Sequence, residues 1–243
     1  MITEEIKEHS LWQSIFWHLL PGILGGIVYF LTVDLVNDLG FPSIVALILA
    51  GIFTLVPIQL GVLIYQSRKN KQKLFGEIVR YFEPLEIWEY FLWVFVIVIA
   101  SGLIMGGLGP VSEFFHQEIF SGIPSIDMGL STNYLKTNLI ITYVFVLLFV
   151  VLIVPTVEEL YFRGYLLPRM PKKLKKHQLI IHTTLFAVYH LWSPWMIVSR
   201  IFGVLPLAYV VMRKRNIYLG IIAHCLINSI DFFIGVVFIT KMI

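Results

Sequence analysis

Residues 137–167 read TNLIITYVFVLLFVVLIVPTVEELYFRGYLL. From Thr137 to Val157 there is no Asp, Glu, Lys or Arg, and the run passes straight into Glu158 and Glu159, with Arg163 four residues beyond. About 20 apolar residues at helical rise cross the hydrocarbon core of a bilayer, so this run predicts a membrane-spanning helix. Ionisable side chains at membrane depth cost roughly 2.5–3.5 kcal/mol each on insertion scales. A span that carries two carboxylates and a guanidinium at its end is therefore expected to use them.

The rest of the chain repeats the pattern. Of 243 residues, 58% are hydrophobic and 14% charged, against about 25% charged in a soluble domain. Charge-free runs predict spans at Leu11–Val33, Phe41–Gln66, Tyr90–Ser112, Thr137–Val157 and Gln178–Ser199, a short sixth at Ile201–Met212, and a seventh at Asn216–Thr240 interrupted only by Asp231. The expected fold is all-α, a polytopic membrane bundle of about seven to eight spans. Residues 1–136 hold no recognised motif, and residues 137–243 hold all the chemistry. A helix continued through Tyr161 to Leu167 would place the Glu pair deeper than the charge-free run suggests.

Basic residues orient the bundle. With a cytoplasmic N-terminus, the inner segments hold Lys7; Arg68, Lys69, Lys71, Lys73 and Arg80; Arg163, Arg169, Lys172, Lys173, Lys175 and Lys176; and Arg213, Lys214 and Arg215. That is 15 of the 18 lysines and arginines, with only Lys136, Arg200 and Lys241 outside them. The bias predicts a multi-pass protein of the cell membrane. It also explains the net charge of +3 without nucleic acid. The start of the chain, with Glu4, Glu5 and Glu8 against Lys7, is unlike the basic leader of a signal peptide. One cysteine, Cys225, excludes an intrachain disulfide and a Cys-rich metal site.

Two further polar motifs lie in apolar runs: Phe186-Ala187-Val188-Tyr189-His190 and His224-Cys225-Leu226-Ile227-Asn228. Helical positions four apart share a face. His224 therefore projects with Asn228, Phe186 with His190, and Glu159 with Arg163. Glu158 is rotated about 100° from Glu159, so the two carboxylates are expected to do different jobs. His190 lies about 18 Å and His224 about 12 Å from the inner ends of their spans, which predicts that the motifs meet in a cavity opening inward.

A carboxylate beside an imidazole can hold and deprotonate a water, and removal from bulk solvent suits a carboxylate to that task. A second imidazole and an amide N–H on one face can stabilise the oxyanion formed when that water attacks a carbonyl. The set is sufficient for amide hydrolysis with no covalent intermediate and no cofactor. The alternative is zinc, with Glu158, His190 and His224 as a two-His, one-carboxylate set, although no H-E-x-x-H pair is present. Simpler roles are expected elsewhere: packing for Cys225, a structural or interfacial part for His18 and His182, an aromatic belt for Tyr161, Phe162 and Tyr165, and for Asp231 either an electrostatic influence on the site or a place near the outer end of a cavity.

The order E-E-x-x-x-R, F-x-x-x-H, H-x-x-x-N on successive membrane helices resembles the CAAX protease and bacteriocin-processing family of intramembrane proteases, which includes type II CAAX prenyl endopeptidases and bacterial Abi-type proteins. The resemblance covers roughly residues 137–240. It implies an all-helical fold with a conical cavity open to cytosol and lipid. It implies water activation by Glu158 and His190, an oxyanion hole of His224 and Asn228, structural support from Glu159 and Arg163, and a metal-free mechanism. The implied partners are the lipid bilayer and a lipidated or amphipathic peptide or protein substrate cleaved near the cytoplasmic face. The competing expectations are a non-catalytic membrane protein of the bacteriocin-immunity kind and a transporter using Glu and His as a proton relay.

Overall fold

The computed structural model describes residues 7–242, so the acidic start at Glu4 and Glu5 lies outside the described residues. Eight helices make up the bundle: α1 (Leu11–Asp38), α2 (Ile44–Asn70), α3 (Ile87–Gly107), α4 (Gly109–Glu118), α5 (Lys136–Arg169), α6 (Gln178–Tyr189), α7 (Pro194–Lys214) and α8 (Ile217–Lys241). All except α4 and α6 are long and apolar enough to cross a membrane. Among the described residues there is no β-strand beyond two isolated bridges. The all-α membrane bundle expected from the sequence is present, with six span-length apolar helices among the described residues in place of the seven to eight expected, because the 12-residue α6 is too short to cross.

Local sequence accounts for the helix ends. Ser10 and Gln13 form a reciprocal capping box at the start of α1, and the Asn216 side chain accepts from Leu219 N–H at the start of α8. Each pairing satisfies amide donors that have no partner inside the helix. Arg215, in the left-handed region at φ +50°, turns α7 into α8 within two residues.

Prolines shape the helices from inside. Turns widened to the π form occupy Gly51–Leu55, Val146–Ile153 and Glu159–Leu166, and Pro57, Pro155 and Pro168 follow them within two residues. Proline lacks the N–H that would close the ordinary turn, and its ring crowds the carbonyl four residues back, so the preceding turn opens.

Several span boundaries differ from the expectation, and the third span ends at Gly107, with α4 following from Gly109, instead of running to Ser112. The fourth span does not stop at Val157 but continues to Arg169, which carries the Glu pair well inside the helix. The fifth does not reach Ser199; α6 ends at Tyr189 after 12 residues. The sixth is not short, because α7 starts at Pro194 and runs 21 residues. Composition marks 178–212 as nearly continuously apolar, but Pro194 biases the residue before it away from helix, and the break falls in that stretch.

Trp12, Leu31 and Phe91 are each at least 75% exposed on the outside of the bundle. Apolar surface on this scale fits contact with lipid. The inward-facing core joins α1, α2, α5 and α6 through Tyr29, Leu55, Leu63, Phe162, Leu166, Phe186 and Tyr189. Tyr161, Phe162 and Tyr165 belong to this core and are not an aromatic belt at the membrane surface. The Tyr161 hydroxyl donates to the Trp17 carbonyl at 2.8 Å. His18 and His182 are fully buried and paired ring nitrogen to ring nitrogen at 2.9 Å, which fits a structural role.

Candidate active site

Because α5 runs through to Arg169, Glu158 lies 11 residues from its end, about 17 Å in. Glu158, Glu159 and Arg163 are all buried. Widened helical turns recur at functional sites, and here one begins at Glu159 itself. Arg163 Nη1 is 3.0 Å from Glu159 Oε1, an ion pair sealed inside the protein. The guanidinium also lies 3.9 Å from the centre of the Phe186 ring, a cation–π contact that gains strength without water.

From α8, His224 reaches both carboxylates. Its Nδ1 is 2.9 Å from Glu159 Oε1, and its Nε2 is 3.9 Å from Glu158 Oε2. Glu159, paired with Arg163, accepts from Nδ1–H, so Nε2 donates only when the ring carries a second proton. The Asn228 amide donates to the Val150 carbonyl at 2.9 Å. Gly220, His224 and Asn228 stand four residues apart on one stripe of α8. A Cβ at Gly220 would lie 2.7 Å from Glu159 Oε2 and 2.9 Å from a Val211 methyl carbon, so glycine is what lets α8 approach the carboxylate. We expect Gly220→Ala to lower stability by about 1–3 kcal/mol, the usual cost of overpacking, read as a lower thermal midpoint in detergent.

His190 sits where α6 stops, at φ −84° and ψ 62°. Its ring Nδ1 is 2.8 Å from the Phe186 carbonyl, one of the carbonyls that a helix end leaves free. A carbonyl only accepts, so Nδ1 carries the proton, and in the neutral ring Nε2 is a lone pair. The Phe186 ring packs against His190 with centroids 4.8 Å apart. Phe186 thus touches both His190 and Arg163.

Two residues of this cluster were not anticipated. The Tyr189 hydroxyl donates to Glu158 Oε1 at 3.0 Å, and Gln59 Nε2 from α2 donates to the same hydroxyl at 3.1 Å. Both side chains are fully buried. The available signal was an uncharged amide in the middle of an apolar span, which needs a partner there. We expect Tyr189→Phe to lower turnover about 10- to 100-fold, the kinetic equivalent of a hydrogen bond to a charged group. A kcat comparison on the folded variant tests this.

A cavity of about 470 Å³ joins the groups. Glu158, Arg163, Phe186, His190, His224, Asn228, Asp231 and Arg200 are among the residues lining it, and Cys225 is not. The walls run past Phe149, Met105 and Leu47 to Ser125 and Ile126, and no residue of 71–86, 170–177 or 213–216 takes part. The cavity therefore extends toward the α4 end of the bundle, away from the basic loops, and not toward them as the sequence reading expects. It is also lined by α2 and α3, so residues before 137 help to build it. Among the described residues, no three His, Cys, Asp or Glu side chains are gathered closely enough to hold one metal ion.

These features define a multi-pass helical membrane protein with a partly buried Glu–His–Asn cluster lining an internal cavity. Residues 140–230 match the family model described as Type II CAAX prenyl endopeptidase Rce1-like, so the CAAX protease family recognised from the motifs is supported by an independent comparison. The matched segment contains Glu158, Glu159, Arg163, Phe186, His190, His224 and Asn228, and supports a CAAX-type intramembrane protease as the general class. No curated protein and no solved structure matches the chain.

Proposed function

We propose that the protein is an intramembrane endopeptidase that hydrolyses a peptide bond in a lipidated or amphipathic substrate, using water activated by Glu158 and His190. The observation that carries the reading is that Glu158, His190, His224 and Asn228, drawn from α5, the end of α6 and α8, line one cavity.

In this mechanism Glu158 takes a proton from water held between its carboxylate and the His190 Nε2 lone pair. The water oxygen bonds to the substrate carbonyl carbon, and the carbonyl oxygen becomes an oxyanion. His224 Nε2–H, in the doubly protonated ring, and the remaining Asn228 N–H donate to that oxyanion. Glu158 then returns the proton to the amine nitrogen as the C–N bond breaks. Tyr189 holds one Glu158 oxygen by its hydrogen bond, which leaves the other for water. Glu159 fixes the His224 ring through Nδ1. No cofactor enters this sequence. The substrate approaches from the α4 end, where the cavity leads.

The test uses protein purified in detergent with lipidated and amphipathic peptides, followed by mass spectrometry. Cleavage by the wild type that is lost in Glu158→Ala, His190→Ala and His224→Ala supports the reading. Cleavage that survives in Glu158→Ala overturns the assignment of the base. Inhibition by a chelator with recovery on adding zinc would overturn the cofactor-free mechanism.

A further inference from the structure

Arg200, in the second turn of α7, lines the same cavity and has no part in the scheme above. Its Nη2 donates to the Ser193 hydroxyl at 3.1 Å and touches the Met196 sulfur at 3.5 Å, while Nη1 is buried with no hydrogen-bond partner. Glu158 and Asp231 also line the space; neither forms an ion pair with Arg200, and Glu158 acts on the guanidinium only from beyond ion-pair distance. Glu159 is committed to Arg163 and His224. Of the three basic residues outside the segments that orient the bundle, Lys136 and Lys241 lie at the ends of spans, whereas Arg200 lies within α7 and lines the cavity.

A guanidinium at membrane depth with no carboxylate in direct contact is costly to keep. A guanidinium also presents its donors as a planar fork that matches a carboxylate with two parallel hydrogen bonds. Here a hydroxyl and a thioether occupy one arm of that fork and the other arm is idle.

We propose that Arg200 receives a carboxylate of the substrate and so decides which peptides the cavity accepts. The inference rests on the protease reading and adds the specificity of the same site. A carboxylate docked at Arg200 anchors one end of the peptide in the cavity that holds Glu158, and the bond to be cleaved lies a short distance along the chain. The carboxylate comes either from the C-terminus of the substrate or from an Asp or Glu side chain near the cleaved bond. The chemistry at the guanidinium is the same for both.

The experiment uses the full chain in detergent with three synthetic peptides that share a prenylated cysteine followed by three apolar residues. One ends in a free acid, one in an amide, and one in an amide with Glu as its last residue. The wild type is expected to cleave the free acid or the Glu amide at least tenfold more efficiently, by kcat/KM, than the plain amide, and the preferred peptide identifies the source of the carboxylate. Arg200→Gln and Arg200→Met are expected to bring that ratio close to one. Arg200→Lys, which keeps the charge and loses the fork, is expected to reduce it at least threefold. Equal cleavage of all three peptides by the wild type overturns the assignment of Arg200 and leaves the protease reading standing. A wild-type ratio retained in Arg200→Lys overturns it as well, and that variant decides the matter if the uncharged ones do not fold. Failure to cleave any of the three, nor any amphipathic peptide, overturns both readings together.

Discussion

Glu158→Gln is expected to fold as the wild type does and to lose peptide hydrolysis by about 10²- to 10⁴-fold, the usual contribution of a general base. The substitution preserves shape and keeps an oxygen for the Tyr189 hydroxyl, which bonds Glu158 at 3.0 Å. It removes only the ability to take a proton. Glu158 has no ion pair closer than the 3.9 Å contact with His224, so the variant breaks no close ion pair and removes only a longer-range attraction for Arg200. Turnover on a reporter peptide, together with an unchanged thermal midpoint, checks both halves of the expectation. Activity within tenfold of the wild type would move the base elsewhere, with His190 the next candidate because its Nε2 faces the cavity as a lone pair.

Glu159→Gln is expected to do the reverse and damage the fold first. Its Oε1 serves Arg163 at 3.0 Å and His224 at 2.9 Å, with the carboxylate and guanidinium both essentially inaccessible to solvent. Removing one member of a buried ion pair leaves the other uncompensated, at a typical cost of about 3–5 kcal/mol. The variant should therefore unfold at lower temperature or lower denaturant than Glu158→Gln, and any fraction that folds should be impaired because the His224 ring is no longer held. A thermal midpoint for Glu159→Gln equal to that of Glu158→Gln would show that the ion pair contributes nothing net. Two carboxylates one residue apart thus separate cleanly, one by chemistry and the other by stability. The 100° rotation between consecutive helical positions is the reason they can.

Much of this is written in local sequence. A charge-free run long enough to span a bilayer needs no knowledge of its neighbours to be recognised, so the all-α membrane character follows from composition and run length. Charged residues in such runs are costly wherever they end up, so Glu158, Glu159, Arg163, His190, His224 and Asn228 stand out before any contact is known. Spacing of four placed Glu159 with Arg163, and that pair is present at 3.0 Å. The same spacing placed His224 with Asn228, and both line the cavity.

The helix break at His190 shows where that reading stops. Residues 178–199 carry no charge until Lys or Arg intervene, and hydropathy cannot see that an imidazole nitrogen caps the Phe186 carbonyl and ends the helix there. The extension of α5 beyond Glu158 was hidden for a related reason. A charge-free run ends at its first ionisable residue, whereas the packed interior compensates Glu159 and Arg163 against each other and lets the helix continue.

By itself, then, the order of residues determined a membrane bundle and which polar side chains its interior must accommodate, because burying apolar runs and penalising buried charge are properties of each segment alone. Only the tertiary structure decided that Tyr189 and Gln59 hold Glu158, that Gly220 admits Glu159 beside His224, and that the cavity leads away from the basic loops past Arg200. Gln59 and Tyr189 are 130 positions apart, and contacts over such separations arise from how helices pack, which neither periodicity nor composition encodes.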